Sequence, residues 1–81
     1  MRMFQITLRA ARLSCGYTPE EVAKHCGITV KAYEKIEKDS GKVKLGILLG
    51  LLKLFGVSAD LIYFGTEADC IKHNRGLKGV A

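Results

Sequence analysis

Residues 18–38 read TPEEVAKHCGITVKAYEKIEK, and two helix starts are written into them. Thr18 has the side chain of an N-cap, Pro19 follows at the first helical position, where its missing N–H costs nothing, and Glu21 completes a capping box. Tyr17 before the cap and Val22 at the fourth helical position can add a hydrophobic staple. This helix must be short, because Gly27 follows Cys26 and supplies the left-handed conformation at which helices stop. Only Ile28 separates that glycine from a second N-cap, Thr29. The stretch Val30 to Lys38 then sets Tyr33, Ile36 and Glu37 on one side and Val30, Lys31, Glu34, Lys35 and Lys38 around the other.

Working outward, a first helix is expected from about Phe4 to Cys15. Phe4, Leu8, Ala11, Leu13 and Cys15 lie on its apolar side, Arg9 and Arg12 lie among its polar positions, and Gly16 ends it. Asp39 to Lys44 reads as a polar loop. A fourth helix runs from Leu45 to Phe55, where Gly56 stops it, and Ser58 caps a short fifth helix, Ala59 to Phe64, closed by Gly65. Thr66 to Ala81 shows no apolar period and reads as a loosely structured tail. The expected fold is all-α: a compact five-helix bundle in residues 1–65, with a tail in 66–81. On the fourth helix, Leu45, Leu48, Leu49, Leu52 and Phe55 are expected to face the core. Ile47, Leu51 and Leu54 form a second stripe on roughly the opposite side, which predicts a homodimer interface, the returning tail being the other possible cover.

Composition bounds the function. From its 81 residues one small domain is expected, with no room for a second, catalytic or sensing one. With 48% hydrophobic and 26% charged residues it is globular, and a net charge of +5 favours an anionic partner, nucleic acid or an acidic membrane. No run reaches the ~18 apolar residues that span a bilayer, and the N-terminus lacks the pattern of a secretory signal, so a cytoplasmic location is expected. Cys15, Cys26 and Cys70 form no disulfide framework, and Cys70 with His73 lacks the second ligand pair that a zinc site needs. His25 and Cys26 are adjacent on a helix and so diverge by about 100°, which makes no catalytic dyad. No enzyme activity, metal or cofactor is expected.

Two short helices joined by a glycine-containing turn have the geometry of a helix-turn-helix. The chain resembles the Cro and phage-repressor helix-turn-helix proteins, the XRE family, from Ile6 to Gly65 without an insertion. The resemblance rests on Thr18-Pro19-Glu20-Glu21-Val22-Ala23, on Gly27 at the turn and on Ile36-Glu37. The same residues have physical reasons of their own: Ala23 is small where two helices cross, and Val22, Cys26, Ile28, Tyr33 and Ile36 can pack as one core. The resemblance further implies a structural salt bridge between Arg12 and Glu37. Three positions depart from the family pattern. Pro19 replaces a phosphate-holding glutamine, Tyr33 an aliphatic residue and Val43 a proline.

Carried over residue by residue, the resemblance implies a transcriptional regulator, a repressor or Cro-like protein of a prophage or mobile element, that binds double-stranded DNA. In such proteins the second helix of the motif enters the major groove. Thr29, Val30, Lys31, Glu34 and Lys35 are then the candidate base contacts. Lysine can donate to guanine, glutamate can accept from cytosine or restrain a lysine, and valine can meet a thymine methyl. Thr18, Lys38, Lys42 and Lys44, with Arg9 a weaker candidate, fall where relatives hold phosphates, contacts that position the protein without reading sequence. A palindromic operator bound by a homodimer is the matching partner. Two other functions fit the same fold: an antitoxin that represses its own operon and grips a toxin, and a protein-protein adaptor.

Overall fold

The computed structural model describes residues 3–78. Among the described residues five α-helices follow one another: α1 Leu8–Cys15, α2 Pro19–Cys26, α3 Val30–Lys38, α4 Leu45–Phe55 and α5 Glu67–Lys78. Short 3₁₀ turns, Ser40–Lys42 and Ala59–Leu61, flank α4. Local chemistry sets the first boundaries. Thr7, Thr18 and Thr29 each accept a hydrogen bond from the backbone N–H three residues on, which satisfies a donor that a helix start otherwise leaves orphaned. At Thr18 the reciprocal bond from its N–H to the Glu21 carboxylate, 2.9 Å, completes the capping box. Gly27 turns the chain from α2 toward α3 with φ at 69°, a conformation that a Cβ would strain.

The core is Leu8 and Ala11 of α1, Val22 and Ala23 of α2, Tyr33 of α3, Leu51 and Phe55 of α4, and Ile62. Cys26, Ile28 and Ile36 are half-buried against it. Tyr17 lays its ring against Phe55, with centroids 6.3 Å apart. Among the described residues, no helix is long and apolar enough to cross a membrane.

Three expectations are corrected. Residues 3–6 are not the first turn of α1: Ile6 is extended and pairs with Ile62 through Ile6 N–H to Leu61 O and Tyr63 N–H to Ile6 O, both 2.8 Å, which leaves Phe4 exposed. Ala59 to Phe64 is a single 3₁₀ turn followed by that extended pairing, because Leu61 O and Tyr63 N–H are spent on Ile6 of the N-terminal segment. The segment read as a loose tail is helical over Glu67–Lys78. Polar bonds to the N-terminal segment dock it. The Asn74 side chain accepts from Gln5 N–H at 3.0 Å and donates to Gln5 O at 2.7 Å, while Cys70 is buried beneath. Cys70 and His73 add contacts to Gln5 O and Met3 O.

The phase of α4 is the fourth correction. Leu51 is wholly buried, Ile47 and Leu54 pack against the core beside it, and the solvent row is Leu45, 68% exposed, and Leu49, 57% exposed. The set Ile47, Leu51 and Leu54 is therefore core and not a free surface for a second copy.

Candidate nucleic-acid interface

The face of α3 that turns away from Tyr33 carries Lys31, Glu34, Lys35 and Lys38, all exposed, at the i, i+3, i+4, i+7 spacing of one helical stripe. With Arg9 of α1, Glu37 and Glu67 they line one open cleft of about 790 Å³. Four cations and three carboxylates thus share this surface. Of the expected base contacts, Thr29, Lys31, Glu34 and Lys35 lie exposed, whereas Val30 is half-buried against the core and offers less of itself to a groove. Thr29 Oγ1 accepts from Ala32 N–H at 3.1 Å, so its own O–H stays free to donate.

Thr18, Lys42 and Lys44 are exposed but do not line this cleft. Thr18 keeps its hydroxyl proton in the same way, since its oxygen accepts from Glu21 N–H. Lys44 sits at a separate depression with His25, Cys26 and Ile47, between the end of α2 and the start of α4. Arg9 Nη1 lies 3.9 Å from the Glu67 carboxylate, a solvent-exposed ion pair. Neither the cleft's acidic member from α5 nor the pairing of Arg9 was read from the sequence, because a segment without apolar period gives no sign of where it docks.

Behind the exposed stripe, one ion pair fixes α3 to α1. Arg12 Nε donates to Glu37 Oε2 at 2.5 Å and Arg12 Nη2 reaches Oε1 at 3.4 Å, while Nη1 donates to Tyr17 O at 2.9 Å. The two side chains are 9% and 11% exposed. A buried fork of this kind specifies the angle between two helices more surely than it adds stability. Tyr33 lies beside the pair. Its hydroxyl is buried and makes no well-formed hydrogen bond, and burial, then the neighbouring Glu37 carboxylate, push its ionisation far above the usual tyrosine range. The phenol therefore stays neutral.

Residues 8–62 match the helix-turn-helix family. The chain is also similar to the SPbeta prophage-derived uncharacterized HTH-type transcriptional regulator YonR of Bacillus subtilis (strain 168), with 36% identity over 66 residues. The aligned region covers 82% of this chain and 61% of that relative, so the chain spans less than two thirds of the relative's length.

Proposed function

This chain belongs to the helix-turn-helix family of the phage-repressor type, and from that membership we propose that it regulates transcription by seating α3 in the major groove of duplex DNA. The observation that carries the reading is the exposed stripe Lys31, Glu34, Lys35 and Lys38, set on a helix whose other side is core and whose tilt is fixed by Arg12 and Glu37. Groove recognition needs that rigidity, since base edges are read by side chains placed to within a hydrogen bond. Lys31 and Lys35 donate to guanine edges, and Glu34 accepts from cytosine or orients its lysine neighbours. Thr18, Lys38, Lys42 and Lys44 hold phosphates. With Pro19 in place of a side chain that could donate, the N-terminus of α2 offers the backbone N–H of Glu20 there instead, since those of Glu21 and Val22 bond to Thr18.

The work of such a protein is binding and not catalysis, and it belongs in the cytoplasm, where DNA is. A homodimer on a palindromic operator completes the reading. Its α4 contact would be the exposed row Leu45 and Leu49. The relative's prophage name supports a regulator carried by a mobile element.

Selection of bound sites from a random DNA pool tests this. Wild type should return a consensus. Lys31→Ala and Lys35→Ala should each weaken binding to it by about 1–3 kcal/mol and relax preference at one base pair. A pool that returns no consensus, or a consensus unchanged in both variants, would remove α3 as the reading element.

A further inference from the structure

The family match ends at residue 62, and α5 lies beyond it, yet α5 sends a side chain into the basic cleft. Glu67, in its first turn, reaches Arg9 of α1 and lines the cleft with Lys31, Lys35 and Lys38. At 53% and 58% exposure this pair contributes little to folding, because water screens it and two long side chains must be held to make it. The backbone that carries Glu67 is nevertheless anchored. Thr66 Oγ1 accepts from Asp69 N–H at 3.1 Å at the start of α5, and Asn74 grips the Gln5 backbone two turns later. A carboxylate this near the guanidinium acts twice on an arriving phosphate: it repels the anion, and it offsets the positive charge that would otherwise attract it.

We propose that Glu67 is a built-in competitor for DNA phosphate at Arg9, which holds the affinity of the α3 face below what its cations alone would give. The inference rests on the DNA-binding reading above. Phosphate contacts carry no base information, so the competitor weakens all sequences alike and leaves the preferences of Lys31 and Lys35 untouched.

Wild type, Glu67→Gln and the double variant Arg9→Gln with Glu67→Gln are titrated over a range of salt against a labelled duplex of mixed sequence. Glu67→Gln should bind roughly threefold or more tightly at low salt, with log K against log salt steeper by about 0.9, the share of one phosphate contact. The double variant should lose that gain. An unchanged Glu67→Gln, or a gain that survives without Arg9, overturns the proposal while leaving DNA binding intact. A wild type with no salt-dependent affinity for the duplex overturns the DNA reading and this inference with it.

Discussion

At the scale of single residues, the centre of the molecule sets an ion pair beside a hydroxyl with nothing to bond. Breaking a buried pair by removing one partner leaves the other charge uncompensated, at a cost of about 3–5 kcal/mol. Arg12→Ala should therefore lower the free energy of unfolding by that much, measured by denaturant titration, stranding Glu37 and freeing Tyr17 O of its donor. A loss under about 1 kcal/mol would mean that Glu37 reaches water unaided. Tyr33 tests the opposite case. An unpaired buried polar group costs roughly 1–3 kcal/mol, so Tyr33→Phe, which keeps the ring and deletes only the hydroxyl, should leave stability unchanged or raise it. Clear destabilisation in urea would show that the hydroxyl does bond to the Arg12 and Glu37 pair.

Helices divide into those whose phase is marked and the one whose phase is obscured. In α2 and α3 charges and apolar residues alternate so that a single buried face exists, and Val22, Ala23 and Tyr33 lie on it. Eight of the eleven residues of α4 are large and apolar, so every orientation buries a stripe. Lys53 was the available marker. It is exposed, and Leu49 and Leu45, four and eight residues before it, share its row. With the phase so placed, Leu51→Ala should cost about 2–5 kcal/mol by leaving a cavity in the core, read as a drop in melting temperature. The fifth helix poses a different difficulty. It is held through Asn74 and His73 on the backbone of the N-terminal segment more than by an apolar stripe, and hydrophobic period does not register such bonds.

For the whole molecule, assembly is the open quantity that α4 bears on. Leu45 and Leu49 stand 68% and 57% exposed, and burying such side chains against a second copy would contribute roughly 1.5–3 kcal/mol each. Leu49→Lys should therefore fold normally, since the position already faces water. In sedimentation it should shift the proposed dimer toward monomer and cut affinity for a two-half-site operator more than for random DNA. An unchanged dimer would move the contact to another surface, of which the exposed Phe4, Leu13 and Ile71 are the apolar alternative. A monomeric wild type would end the dimer reading.

By itself the sequence determined α2, the glycine turn and α3, because caps, capping box and helix stops are local chemistry between residues three or four apart, and Thr18, Glu21, Gly27 and Thr29 supply it within twelve positions. It also made legible the exposed lysines of α3, since a helix with one buried face leaves the other to solvent. Tertiary structure alone decided which face of α4 is core, that Phe4 and Ile6 leave the first helix to pair with Ile62, and that α5 folds back to bring Glu67 to Arg9. Each of these depends on partners more than forty residues away in the chain, or on a competition between equally apolar faces. No local propensity carries that information.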